Sequence, residues 1–429
     1  MDPLTADTIR FVTNPSSQPV GDSTLFAGLA TTKPLLRAGS VWIVSRHDLV
    51  SRLARHPHCI LRMPDRWRAS QPLNPAVSTF LEGLMPIQPP ADHQRLRRLI
   101  AGQFSARSVA GLRGVVQAIV DELLTGPLQR GGCEIVGEVC VQLPVYTTTA
   151  MLGLPDSDRS LVLSWVRTVN DQVVDEVSGR IGGRIGGGVD GRAGASTADP
   201  GSGLADMIAY IEDLVRARTR RPGDDLISRL AAQSSAEDGR LSADELVSMV
   251  LMLLMTGIDT VGSGLSNVLL ALSQHPDIWR QVVDDPRRCA AAYTEGLRLL
   301  PPLPMMGRIV EADIDLSGII IPAGSTVLLM YGAANLDPAV FPRPLRFDLN
   351  RSGPAHLAFG HGPHFCLGAG LAVLQGERVL AALARHAPRF EVLDVGERRA
   401  EAAFHSPATM RMRLAPPLPA AQVPAAVGS

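Results

Sequence analysis

Residues 359–370, Phe-Gly-His-Gly-Pro-His-Phe-Cys-Leu-Gly-Ala-Gly, constrain this chain more than any other stretch. Glycines and a proline break the backbone just ahead of an apolar segment, 371–384, whose leucines recur at helical intervals. One cysteine, Cys366, is thereby set between a tight loop and the start of a helix. Free N–H groups at a helix N-terminus can bond a sulfur, and the aligned peptide dipoles lower a thiol's pKa. Gly360, Gly362 and Gly368 let the backbone approach a flat partner at distances a Cβ would forbid. These are the requirements of a cysteine that ligates a large planar cofactor. Cys59, Cys133, Cys140 and Cys289 lack such surroundings and read as buried structural thiols.

Composition narrows the remaining choices. The 429 residues are 45% hydrophobic, enough for a sizeable core, and 41 basic residues against 42 acidic disfavour a nucleic-acid partner. Five cysteines at irregular spacing are no disulfide framework, so a reducing cytoplasm is expected. Met1-Asp2-Pro3-Leu4-Thr5-Ala6-Asp7 has acids where a signal peptide is basic. The longest mostly apolar run, Leu246 to Ile258, is too short for a bilayer, so no membrane association is expected.

The pattern Phe-Gly-x-Gly-x-His-x-Cys-x-Gly resembles the heme-thiolate loop of the cytochromes P-450. The resemblance implies a mainly α, single cytochrome P-450 domain over residues 1–414, helix-rich with a smaller β-rich N-terminal region. A disordered Pro/Ala-rich tail, 415–429, is expected beyond it. Further segments resemble the family in the right order. Pro90 to Leu99 opens a helix with His93 and Arg97 on one face, four residues apart. By resemblance this pair would hold a heme propionate, although Pro89 stands where the family usually has Asp. Arg308 and His364 would serve the propionates as well, and Phe359, Gly360 and Gly368 would surround the cofactor beside Cys366, the iron ligand. The implied cofactor is heme b. Glu295 and Arg298 match the family's Glu-x-x-Arg helix and would lock residues 341–351, with Arg346 or Arg351 as third member.

Elsewhere residues 1–40 read as loop-rich, Val41–Val44 as a buried strand, and 47–55 as a helix. The six prolines within 62–90 imply connecting structure. The Gly/Arg-rich stretch 178–203 cannot bury enough apolar surface to offset its ordering entropy, and by resemblance is a flexible lid insertion. Residues 319–327 read as strand, tight turn, strand.

Ser242-x-x-Glu245 is a capping box that starts a helix of about 30 residues, near 45 Å long. Its middle, Met255-Thr256-Gly257-Ile258-Asp259-Thr260, sets Gly, Asp and two Thr inside an apolar run. A hydroxyl and a carboxylate there could hold dioxygen and relay protons, whereas Thr back-bonded to the helix would be structural. The segment matches the family's oxygen-binding helix, which gives Asp259 and Thr260 catalytic roles; Thr256 stands where Ala or Gly is commoner.

The implied reaction is monooxygenation: one atom of O₂ enters a small-molecule substrate, by hydroxylation or epoxidation, and the other leaves as water. Soluble bacterial relatives often act on secondary metabolites. No flavin or Rossmann-type segment is recognised, so electrons would come from a separate ferredoxin and ferredoxin reductase. Arg107, Arg378 and Arg385 are candidate docking cations. The rival readings are a peroxide-dependent or non-monooxygenating heme-thiolate enzyme, and a heme-binding protein without turnover.

Overall fold

The computed structural model describes residues 2–14, 23–61, 80–169, 200–234, 241–316, 318–398 and 404–416. Its axis is the helix Ala243–Ser273, 31 residues long and opened by the Ser242–Glu245 capping box, with both reciprocal bonds formed. Because the helix is apolar nearly all round, it must be enclosed by protein. The helices Gln142–Leu152 and Cys289–Leu299 pack directly on it. By length and composition it could cross a bilayer, but 72% of its most apolar window is buried inside the protein. It is a core helix, longer than the apolar run alone suggests.

Helix Ala369–His386 carries the Cys366 loop at its N-terminal end and packs on Cys289–Leu299. A Cβ at Gly376 would stand 2.1 Å from the ring of Tyr293, so only glycine admits this contact. The Cys366 loop and the Glu295 helix are thus fastened to each other and to the central helix.

The strands are β1 (Leu35–Ala38), β2 (Val41–Val44), β3 (Cys59–Ile60), β4 (Gly132–Glu134), β5 (Met306–Val310), β6 (Ile314–Leu316), β7 (Ile319–Ile321), β8 (Thr326–Leu329), β9 (Arg389–Val395) and β10 (Met410–Ala415). The largest sheet has the order β1-β2-β8-β5-β3. The β-rich region therefore combines the expected N-terminal strands with two strands from residues 306–329. Residues 319–327 do form strand, turn, strand, but the two strands do not pair: β7 pairs with β6, while β8 lies between β2 and β5.

Other expectations shift at their edges. Residues 1–40 contain helices Pro3–Thr13 and Thr24–Thr32. Asp2 caps the first, its carboxylate accepting from the Thr5 N–H at 3.1 Å, and Pro3 occupies its first turn. Both helices are short and are held by burying Phe11, Phe26 and Leu29, which local propensity does not register. The lid expectation, 178–203, lies outside the described residues except at its end, where 200–203 already belong to helix Pro200–Arg220. Of the expected tail, 415 closes β10 and 417–429 lie outside the described residues.

Glu295 and Arg298 form a buried ion pair, with Arg298 Nε and Nη2 donating to the two carboxylate oxygens at 2.8 and 2.9 Å. Arg351 is the third member, donating to Glu295 at 2.8 Å, whereas Arg346 contributes only its carbonyl. Arg298 also donates to the Asn335 carbonyl, and the Asn335 side chain accepts from the Leu357 N–H at 2.6 Å. This chain of bonds ends two residues before Phe359.

Replacing one partner of a buried ion pair strands the other charge. Arg298→Ala is expected to lower the unfolding free energy by about 3–5 kcal/mol in urea titration. Arg216→Ala, which removes an exposed pair, should shift it by less than about 0.5 kcal/mol.

Candidate functional site

The Cys366 loop is shaped by two left-handed glycines. Gly360 has φ +72° and Gly362 φ +70°, and a Cβ on Gly362 would come within 2.7 Å of Arg55 Cγ. Gly368 has a different reason to be glycine. It is the N-cap of Ala369–His386 with φ −84°, and no protein atom lies within 4 Å of where its Cβ would be. The space it leaves is open.

Within the loop the Cys366 N–H donates to the Phe359 carbonyl at 2.8 Å. Cys366 is exposed by accessible area, yet burial is the main influence on its thiol and pushes it above the ordinary value. The backbone N–H of Gly368 and the charge of Arg97 pull it back. The residue is therefore accessible, while protein packed around the sulfur disfavours its charged form. Cys59, Cys140 and Cys289 are buried outright and Cys133 is half-buried. Desolvation pushes the Cys59 and Cys133 thiols up to about 12 and that of Cys289 to about 11. The expected burial holds for Cys59, Cys140 and Cys289 and only in part for Cys133.

The central helix has one stretch open to access as well. Between Met249 and Leu272 every residue is buried except Gly257 and Thr260, which are half-buried, and Thr256, which is exposed. No break in the helix is needed to create this surface: the backbone stays α-helical throughout. Thr256 Oγ1 donates to the Met252 carbonyl and Thr260 Oγ1 to the Thr256 carbonyl, each at 2.7 Å. The back-bonding is thus present, and it leaves the oxygen lone pairs available as acceptors. Asp259 is 1% exposed.

The remaining expected residues gather as one basic cluster. His93 and His364 stack with ring centroids 4.4 Å apart. Arg97 donates to the Phe365 carbonyl at 2.6 Å, and Arg308 to the Gly307 carbonyl at 2.9 Å. Pro89 caps the His93 helix without a side-chain bond. None of the four bases forms an ion pair among the described residues. Arg308 Nε and His364 Nδ1 are buried without a partner. Burial, then the charges of Arg308, His93 and Arg97, push the His364 imidazole down to about 3.

Folding gathers such groups at a cost unless an anion joins them. A planar group carrying two carboxylates, such as heme b, satisfies these four bases and fits the open space at Gly368 and Cys366. A hollow of about 860 Å³ lies at the basic end, lined by His93, Arg97, His364, Gly362 and Arg55 among others. Arg308, Cys366 and Thr260 are not in its lining, which also includes Glu82 and Glu311. Among the described residues no three His, Cys, Asp or Glu side chains cluster as a metal site.

Two contributors went unread in the sequence. Asn335 links the Glu295 pair to Leu357, and Tyr331, 4% exposed, lies 3.5 Å from Arg308 Nη2. A buried amide and a buried phenol each signal a polar partner, but one sequence does not tell which.

Gly368→Ala tests the open space, because it meets no protein atom. The apoprotein should unfold at an unchanged temperature while heme affinity falls at least about tenfold. Gly362→Ala should destabilise the apoprotein itself.

The family model for Cytochrome P450 matches residues 204–288 and 289–412. Vitamin D(3) 25-hydroxylase of Pseudonocardia autotrophica is 31% identical over 367 residues, which span 83% of this chain and 84% of that protein. The 6-deoxyerythronolide B hydroxylase of Saccharopolyspora erythraea is 35% identical over 320 residues, 75% and 74% of the two chains. The crystal structure of CalO2 superposes with a TM-score of 0.81 at 27% identity, covering 97% of this chain and 99% of that one.

Proposed function

We propose residue roles on the premise that this chain belongs to the cytochrome P450 family. It is a monooxygenase that binds heme b and uses O₂, redox partners and a small organic substrate. Bound heme supplies the oxidising chemistry that splits dioxygen between substrate and water. The observation that carries the residue assignment is the pairing of one accessible cysteine with four bases that have no ion pair among the described residues.

Cys366 would hold the heme iron through its sulfur. Its sulfur accepts the Gly368 N–H and feels the Arg97 charge, two influences that favour the thiolate over the buried thiol. His93, Arg97, Arg308 and His364 hold the cofactor's carboxylates, and Phe359, Gly360 and Gly368 complete its bed. Asp259 and Thr260 deliver protons. Thr260 Oγ1, tied to the Thr256 carbonyl, keeps its lone pairs available as acceptors, and Asp259 stands one residue before it as the buried acid.

The substrate is a secondary metabolite that is hydroxylated or epoxidised against Thr256 and the half-buried Leu303, Met305 and Met306. The adaptable thioethers suit a bulky apolar scaffold. Electrons come from a separate ferredoxin and its reductase. Arg107 and Arg385 are exposed and available for docking, whereas Arg378 is committed to Glu377. The compartment is the cytoplasm, in keeping with five free cysteines.

Thr260→Ala is expected to keep electron consumption but lower product per electron by about tenfold or more, measured as product formed against reductant oxidised. Turnover with a reduced ferredoxin should far exceed turnover with peroxide alone. Unchanged coupling removes Thr260 from proton delivery, and equal turnover with peroxide favours the peroxide-dependent reading.

A further inference from the structure

Arg308 is 3% exposed, and its guanidinium has few partners for a buried charge. Among the described residues Nη1 donates to the Gly307 carbonyl, Nε has no partner, and Nη2 reaches only the Tyr331 hydroxyl at 3.5 Å. Tyr331 lies just after β8 at the start of the short helix Tyr331–Ala334, buried in the apolar cluster that also contains Trp42, Val44, Cys59 and Leu357. The same hydroxyl lies 3.9 Å from where a Cβ on Gly360 would stand. It therefore sits between the arginine and the cysteine loop. No acceptor for the phenol's own hydrogen is present among the described residues, although a buried Tyr O–H normally has one.

We propose that Tyr331 is a positioning residue for the heme carboxylates, its hydroxyl fixing the guanidinium of Arg308 that grips them. A lone arginine on a strand can sweep its planar fork through many orientations. An acceptor at one Nη leaves the remaining donors in a fixed plane, the condition for bidentate binding of a carboxylate. The phenol ring is locked by its apolar neighbours, so the hydroxyl is a fixed point. This inference rests on the carboxylate-binding role of Arg308.

Tyr331→Phe removes the hydroxyl and keeps the ring. The test measures the rate at which ferric holoprotein loses heme to excess apomyoglobin, together with the unfolding temperature of the apoprotein. Tyr331→Phe should accelerate heme loss about three- to tenfold, the worth of one ordinary hydrogen bond and in keeping with a long contact of 3.5 Å, with the apoprotein unchanged. In an Arg308→Lys background, where the planar fork is gone, the same substitution should have little further effect. Unchanged heme loss in Tyr331→Phe overturns the proposal. So does an equal acceleration in the Arg308→Lys background, or a loss of apoprotein stability large enough to account for it. If Arg308→Lys and Arg308→Gln both leave heme loss unchanged, the carboxylate role of Arg308 fails, and this proposal with it.

Discussion

The buried pair Glu295–Arg298 is the interaction on which the site depends. Two charges withdrawn from water repay their desolvation only when every remaining donor and acceptor is satisfied. Here the satisfaction comes from the chain that leads to the site. Arg351, the Asp348 N–H and the carbonyls of Asn335 and Arg346 complete the pair, and Asn335 then holds the Leu357 N–H. The pair is energetically tolerable only when residues 335–357 are folded correctly, which delivers residues 359–366 to one place.

A second constraint runs in the opposite direction. His93, Arg97, Arg308 and His364 come from a helix, a strand and the cysteine loop, and together they form a cluster with no ion pair among the described residues. The Glu295–Arg298 pair is partnered as folded, although Asn335 Nδ2 in its network is buried without a partner among the described residues. The four bases, in contrast, have no anionic partner there and, on the proposed assignment, gain one with the cofactor. Folding and cofactor binding are thereby coupled, since a ligand that binds only the folded chain adds its binding free energy to stability.

Legibility from sequence follows the range of the interactions. The cysteine loop, the capping box and the Glu-x-x-Arg pair are local patterns, and each appears where the residues placed it. The largest sheet was only partly legible because its strands, two to five residues long, join residues 35–60 to 306–329. No local signal specifies such pairing. Arg346 and Arg351 could not be separated, since both are five residues or fewer from Asp348 and only the fold decides which side chain turns inward. Thr256 and Thr260 kept a double reading for a physical reason. A threonine bonded to its own helix and a threonine facing a reactive hollow are the same residue, because the proton is given inward and the lone pairs remain outward.

The central claim is that Cys366, and no other cysteine, is the thiolate bound to heme iron. The most direct measurement is the absorption spectrum of the reduced, carbon monoxide-bound protein, recorded for the wild type, Cys366→Ala and Cys289→Ser. The account predicts the red-shifted Soret band of thiolate ligation in the wild type and in Cys289→Ser, and its loss in Cys366→Ala. A histidine-type band in the wild type, or a thiolate band that survives Cys366→Ala, would contradict it.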